Sequence, residues 1–467
     1  MTMKTKKYIL MLVAPFLLGV VSCSEDFLNY KLETAISAEQ TFADTAKINA
    51  FTTGLYDNNQ FYYYYCSSLM EADIRGNDFL VVSTNNYGRY VTEYQNTGLL
   101  STHYQPRYLW QYAYVEIANC NQALYYLPTS VLPDAYKNRV MAEARGMRAT
   151  AYLILAHHFA QPYSNTNGTK EGVPLTTTPL APNDVKPGRG TVQNTYDLIL
   201  SDLLFAKDNM QTGRTDIMRL TINAIDGFLA RTYLDMGNWA AARDNAIAAR
   251  AGHPLAPKAA LTAGFVDATS EWIYAIDMRE DDNNGYLMLP SFWDIRVDGY
   301  SSFRATNSFH GIFEPADARL NQLGVANTGG WSVTKYLHRP AWNMDQVLMR
   351  SAEMFLIEAE ACANIPGEEP QAVTALNAVQ ARAGATLTAA GVTGQPLKDA
   401  IALERRKELF AEGFHVLDML RRGEGFTRLP ADHWAPLTLA PYADRFLLPI
   451  PINEINTNPN CPQNPGY

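Results

Sequence analysis

The sequence predicts a mainly α fold: a scaffold of about four tetratricopeptide-like helix pairs, bearing an irregular, loop-rich part. Three observations lead there. Of 467 residues 47% are hydrophobic and 18% charged, a globular rather than a disordered composition. The length nevertheless exceeds the ~250–300 residues at which a single core stops growing, so the chain divides or extends as repeats. Several long segments place apolar residues at helical spacing, and one consecutive pair reproduces a tetratricopeptide pattern of small and large residues.

In chain order, the first 22 residues set Lys4, Lys6 and Lys7 before an apolar run, Tyr8 to Val21. That run is shorter than the ~20 residues a membrane-spanning helix needs and predicts an export signal over residues 1–22. Val20-Val21-Ser22-Cys23 resembles a bacterial lipobox, which would make Cys23 the acylated first residue of a mature chain, 23–467, anchored to a membrane by lipid. Ser24 to Leu28 form a short acidic tether similar to a lipoprotein surface-export signal. Loss of residues 1–22 removes three lysines and no acid, leaving 35 basic against 47 acidic residues and a net charge of -12. Such an acidic chain argues against nucleic acid as a partner.

Helices are predicted over Glu39–Tyr56, Trp110–Leu127, Asp134–Phe159, Val192–Met210, Thr221–Met236, Trp239–Arg250, Met344–Asn364, Gln371–Ala383 and Leu397–Arg421. The tetratricopeptide spacing is carried by Leu229, Ala230, Tyr233, Gly237, Trp239, Ala242, Ala246 and Ala249. The alanines allow two antiparallel helices to approach closely, Tyr233 and Trp239 fill the turn, and Gly237-Asn238 ends the first helix. A looser copy runs from Leu356, Ala359 and Ala361 through Pro366-Gly367 to Ala372, Leu376 and Val379. Trp110 to Phe159 reads as another pair interrupted by Pro128 and Pro133, and the segment at Glu39 as the start of a further one. Trp272–Ile276 and Phe446–Ile450 read as strands, and Asn165–Gly190 as an irregular excursion rich in Pro, Gly and Thr.

Between the helical blocks, residues 61–114 hold 14 aromatics in 54 residues and residues 286–313 hold seven in 28, against 11% overall. These stretches, within insertions around 61–114 and 270–340, are the candidate binding surfaces. Catalytic motifs are not evident: there is no HExxH, GxSxG, P-loop or dinucleotide fingerprint. No cofactor and no metal is indicated. His157-His158 are adjacent on a helix and face different ways, which suits core or interface positions. Glu280, Asp282, Asn284 and Gly285 start like an EF-hand loop, but Ser291 stands where a bidentate Glu is required, so a polar turn is expected. Cys66, Cys120 and Cys362 lie in apolar contexts without CxxC spacing and read as buried thiols.

Several segments together resemble the SusD/RagB-like outer-membrane nutrient-binding lipoproteins. Cys23 to Leu28 is similar to that family's lipidated start. Glu143-Ala144-Arg145, Arg148-Ala149, Tyr152 and Leu155, then Gly172-Val173-Pro174-Leu175, resemble its signature helix and turn. Glu404-Arg405, Glu408-Leu409, Glu412-Gly413, Asp418 and Arg421-Arg422 are similar to its charged C-terminal helix, with His415 departing from the more usual arginine. Leu448-Pro449-Ile450-Pro451, Glu454-Ile455, Asn458-Pro459 and Gln463 to Tyr467 resemble its closing motif. In the residue reading that charged helix is structural, with modest surface pairing through Glu404, Lys407 and Glu408.

The resemblance implies a surface-exposed outer-membrane lipoprotein, not an enzyme, which binds oligosaccharide or polysaccharide and delivers it to a SusC-like TonB-dependent transporter. It implies a glycan site in the aromatic loops, for which Asp73, Arg75, Asn77, Tyr87, Tyr90, Tyr286, Trp293 and Tyr300 are the candidates. Aromatic faces stack on the C–H faces of sugar rings, while Asp, Asn and Arg bond to hydroxyls. A peptide-binding relative, a surface glycoside hydrolase and a helical adaptor that touches only proteins remain as alternatives.

Overall fold

Asp44 opens the first long helix, its carboxylate accepting from the amides of Ala46 and Lys47 at 2.8 and 3.3 Å. It thereby splits the helix predicted from Glu39 into Ala38–Phe42 and α1, Thr45–Gln60. The computed structural model describes residues 37–181, 183–325 and 330–467, so the predicted signal 1–22 and Cys23 lie outside the described residues. The longer helices that follow, among several of one turn or so, are α2 (Tyr65–Ile74), α3 (Tyr104–Tyr126), α4 (Asp134–Phe159), α5 (Val192–Asn209), α6 (Ile222–Asp235), α7 (Trp239–Ala249), α8 (Ser351–Cys362), α9 (Glu369–Ala383), α10 (Gly394–Glu408) and α11 (His415–Arg421). Side-chain caps place several starts: Thr191 for α5, Thr221 for α6 and Asn238 for α7. Among the described residues no helix is long and apolar enough to cross a membrane.

From α3 to α9 each helix packs on the next in the chain, a continuous stack of antiparallel helices, and α1 rests more lightly on α3 and α4. Ala242, Ala246 and Ala249 are fully buried, which gives the close approach the tetratricopeptide spacing predicts. Gly237, at φ 68°, makes the left-handed turn between α6 and α7. As the Trp110–Phe159 pairing predicts, α4 packs on α3, and it packs closely on α5 as well. Arg148 of the predicted signature helix reaches across to it with a two-pronged bond to Asp202 at 2.7 and 2.8 Å. The loop-rich part enters between the helices, after α1, after α4 and between α7 and α8.

Phe79–Val81, Phe303–Ala305, Trp331–Val333 and Leu323–Val325 form a small sheet in that order, and Trp272–Ile276 pairs with Gln346–Arg350. The strand predicted over Phe446–Ile450 does not form. Its backbone is satisfied instead by bonds from the Leu448 amide to the His158 carbonyl, 2.7 Å, and from the Asn464 side chain to the Leu448 carbonyl, 2.8 Å.

The helix predicted over Leu397–Arg421 breaks into α10 and α11. Gly413 has φ 83°, and a Cβ there would lie 2.7 Å from the Leu69 Cα. The charged residues of this segment are not a solvated face. Arg350 donates to Glu271 (2.7 Å), Glu408 (2.6 Å) and Glu412 (2.6 and 2.8 Å), and Arg319 to Glu404 (2.6 Å) and Glu408 (3.0 Å). Arg382 and Lys335 complete this buried network. Lys407 pairs with Glu314 at 2.8 Å instead of with its own helix. Burial alone would raise the Glu408 carboxyl, but Arg382, Arg350 and Arg319 hold it well below the usual carboxylate range.

His158 is buried against the Ser68 hydroxyl at 2.9 Å, and burial pushes its imidazole down to about 3. His157 bonds to Asp235 at 2.7 Å. The segment from Glu280 to Gly285 is a turn in which Asp282 pairs with Arg279 at 3.2 Å and Asn284 donates to the Gln60 carbonyl. Cys66, Cys120 and Cys362, with Cys461, are free and buried.

Candidate functional site

Two three-residue strands assemble the site. Phe79–Val81 runs antiparallel to Phe303–Ala305 with Val81 opposite Phe303, and the Val82 amide donates to the Ser302 carbonyl at 2.9 Å. The loop that follows the first strand and the segment that precedes the second therefore leave the sheet together. Residues 82–90 meet residues 298–302, and the two aromatic-rich stretches of sequence become one surface.

Asn85, Tyr87, Gly88 and Tyr90 in this loop all have φ between 57° and 72°. The left-handed conformation costs roughly 1–2 kcal/mol per non-glycine residue, so the surrounding contacts must hold it. Asn86 does so from below, donating to the carbonyls of Val82 and Arg89 at 2.8 and 3.1 Å and accepting from the Gly88 amide at 3.0 Å. The result turns the Tyr87 ring outward, 87% exposed. Its edge meets the half-buried Tyr300 ring, with centroids 5.8 Å apart. The Arg89 guanidinium lies 4.0 Å from the Tyr300 centroid and donates to its hydroxyl at 2.9 Å, with its Nε turned inward and buried.

Beneath lies a buried floor. Tyr62 bonds to the Tyr90 hydroxyl at 2.9 Å, and Phe292 stacks on both Tyr62 and Tyr300. An apolar ring face beside an outward tyrosine and a half-buried guanidinium suits a ligand with one apolar face and polar edges.

The structure separates the predicted site residues. Tyr87 and Tyr300 come together at the surface. Tyr286 is 52% exposed but sits apart, against Trp342 at 5.2 Å. Tyr90 is buried in the floor, and Trp293 is buried between Phe79 and Phe303 at 4.8 and 4.7 Å, so neither presents a face to a docked molecule. Asp73 is also buried. Its carboxylate accepts from the amides of Gly413 (2.7 Å) and His415 (3.3 Å) and fastens α2 to the break between α10 and α11, and burial pushes it up to about 8. Arg75 spends its guanidinium on the carbonyls of Arg445, Phe446 and Leu447 at 2.7, 2.9 and 3.1 Å. Asn77 is half-buried and its Oδ1 accepts from His415 Nε2 at 2.9 Å. These four buried residues and Asn77 have structural work, which removes Asp73, Arg75, Tyr90 and Trp293 from direct ligand contact.

Arg89 is the residue the sequence reading passed over. Its signal was a lone arginine between two tyrosines in a loop. A separate groove of about 420 Å³ lies where the α6–α7 turn faces α10 and α11, lined by Trp239, Lys398 and Arg422 among others. Its charges are largely matched internally, Arg422 to Glu424 and Arg421 to Glu360.

Two family models match the chain: the SusD family over residues 298–467, and a family described as starch-binding associating with outer membrane over residues 26–234. A SusD-like protein of Bacteroides ovatus is 28% identical over 243 residues, 51% of this chain and 40% of that protein. The starch-binding protein SusD of Bacteroides thetaiotaomicron is 33% identical over 128 residues, 26% of this chain and 22% of that one. The matches thus span less than half the length of these curated relatives.

Among solved structures, a SusD superfamily protein from Bacteroides thetaiotaomicron superposes with a TM-score of 0.81 at 24% identity, covering 90% of this chain and 99% of that one. A laminarin-binding SusD-like protein superposes with a TM-score of 0.70 at 21% identity, covering 91% and 100%. These likenesses agree with the mainly α, tetratricopeptide-like scaffold. With the two models falling on opposite ends of one continuous fold, the chain belongs to the SusD/RagB-like family.

Proposed function

We propose that this protein captures a glycan at the outer membrane without cleaving it and passes it to a TonB-dependent transporter of the SusC type. The observation that carries the reading is the exposed Tyr87 set edge-on to the half-buried Tyr300, with Arg89 laid over the Tyr300 ring, on a loop in a costly backbone conformation. Starch binding in one relative, laminarin binding in one structural neighbour and the outer-membrane description of the second family model support the same cargo class and location.

On this reading residues 1–22 direct export, Cys23 is acylated, and 23–467 form one SusD-like unit whose insertions around 61–114 and 270–340 carry the ligand surface. The lipid anchor keeps the protein near the membrane plane and raises its effective concentration beside the transporter. The contact with that partner is expected to exceed the ~1,600 Å² of a standard interface, with charges at the rim.

The test is calorimetry of the purified protein against a glycan panel that includes starch and laminarin, with chain lengths of the recovered glycan measured after prolonged incubation. Binding without shortening is expected, and Tyr300→Ala should weaken it by about 1–3 kcal/mol. Shortened glycan would replace this reading by a glycoside hydrolase, and saturable binding of peptides with none of glycans by a peptide carrier.

A further inference from the structure

We propose that a second carbohydrate subsite lies on α3, joined to the first by an unbroken line of rings, so that the ligand held is an extended polysaccharide chain rather than a short oligosaccharide. This rests on the glycan reading above and extends it.

Tyr104, Tyr108 and Tyr112 recur every four residues and so share one face of α3, covering about 12 Å of its axis. Tyr63 packs against this row, 4.5 Å from Tyr108 and 6.2 Å from Tyr104, and Phe61 stacks on Tyr112 at 5.0 Å. All five rings reach solvent, Phe61 at 44% and Tyr104 at 36% exposure, the other three half-buried.

The row repeats the chemistry of the first site. The Arg107 guanidinium lies 4.5 Å from the Tyr108 centroid, as Arg89 lies 4.0 Å from that of Tyr300. Both arginines are half-buried beside their rings. A continuous floor connects the two modules: Tyr300 to Phe292 at 5.1 Å, Phe292 to Tyr62 at 5.6 Å, and Tyr62 to Tyr63 at 4.6 Å. Phe292 and Tyr62 are buried, so a ligand meets this line of rings only at its two ends.

The occupant follows from the side chains. The row continues the line of rings from the Tyr87–Tyr300 surface, and four of its five rings carry hydroxyls, so the occupant that suits the first patch suits the second. That combination suits repeated rings with apolar faces and hydroxyl edges. A polymer reaching from one patch to the other gains from both, because the second contact is made at high effective concentration.

The experiment compares a trisaccharide and a polymer of the same linkage, laminaritriose with laminarin and maltotriose with amylose, by calorimetry on the purified wild type and on Tyr108→Ala, Tyr108→Phe and Tyr300→Ala. For the linkage the wild type binds, Tyr108→Ala should weaken the polymer about tenfold while changing the trisaccharide by less than about twofold. Tyr300→Ala should weaken both, and Tyr108→Phe, which keeps the ring, should retain the polymer within about twofold. Equal losses for polymer and trisaccharide in Tyr108→Ala, or no loss for the polymer, would overturn the second subsite and leave the Tyr87–Tyr300 site standing. Failure of the wild type to bind any of the four glucans, or any polymer of the wider panel, would overturn both.

Discussion

Replacing Arg350 by methionine removes the cation at the centre of the buried network while keeping a long unbranched side chain. Arg350 is 2% exposed and makes five short hydrogen bonds, four to the carboxylates of Glu271, Glu408 and Glu412 and one to the Glu408 carbonyl at 2.9 Å. Removing one partner of a buried ion pair typically costs about 3–5 kcal/mol, because the other charge stays buried. Here no carboxylate loses every cation: Glu271 keeps Arg382 at 2.9 Å, Glu412 keeps Lys335 at 2.5 Å, and Glu408 keeps Arg382 and Arg319. The loss should therefore fall near the low end, about 3 kcal/mol, with a fall in Tm on the order of 5 °C.

The pH dependence gives a sharper signature. Glu408 and Glu412 are held below their unfolded values by Arg350 and its neighbours, which outweigh the burial that would raise them, so their contribution is present above about pH 4.5 and is lost as pH falls through the folded values. Without Arg350 this advantage shrinks. The gap between variant and wild type in urea denaturation should be widest near neutrality and narrow below about pH 4.5. A variant within about 0.5 kcal/mol of wild type at pH 7, or a gap that widens with acid, would refute the reasoning.

Three further outcomes follow from the same structure. Gly413→Ala should destabilise by at least about 1 kcal/mol, since its φ of 83° disfavours any side chain and a Cβ would strike the Leu69 backbone; thermal melts check it. Glu116 is fully buried, accepts from Asn58 at 2.9 Å, and burial pushes it up to about 8, so it favours folding at low pH and that contribution is lost as pH rises from about 4.5 to 8. Glu116→Gln should accordingly gain stability relative to wild type across that interval, read as a flatter profile of Tm against pH. Trp293→Phe should lower stability by about 1–3 kcal/mol through the space it leaves between Phe79 and Phe303, while glycan affinity at matched folded fraction stays unchanged.

The helix pairs were legible because alanine spacing and side-chain caps are local signals, as at Ala242, Ala246 and Thr221. The break at Gly413 was not, since an unbroken helical period runs through a segment whose bend is imposed by Leu69 and by the Asp73 carboxylate, both distant in sequence. The charges of α10 looked like a solvated face for the same reason: their partners, Arg319 and Arg350, come from elsewhere in the chain.

The aromatic surface was legible as composition and not as a set of residues. Three-residue strands carry no usable periodicity, so nothing in the sequence announced that Val81 faces Phe303 and thereby sets Tyr87 beside Tyr300. Asp73 and Arg75 are chemically apt for a sugar, and only their bonds to distant backbone groups reveal that they are spent on the fold. Arg89, conversely, takes its place at this surface from Tyr300, 211 residues away.

Crystals of the protein soaked with the tightest-binding glycan of the panel test the central claim most directly. Density for a sugar ring should lie over the Tyr300 face, flanked by Tyr87, with a hydroxyl within hydrogen-bond distance of Arg89. Well-ordered glycan bound elsewhere, with the Tyr87–Tyr300 pair bare, would contradict it.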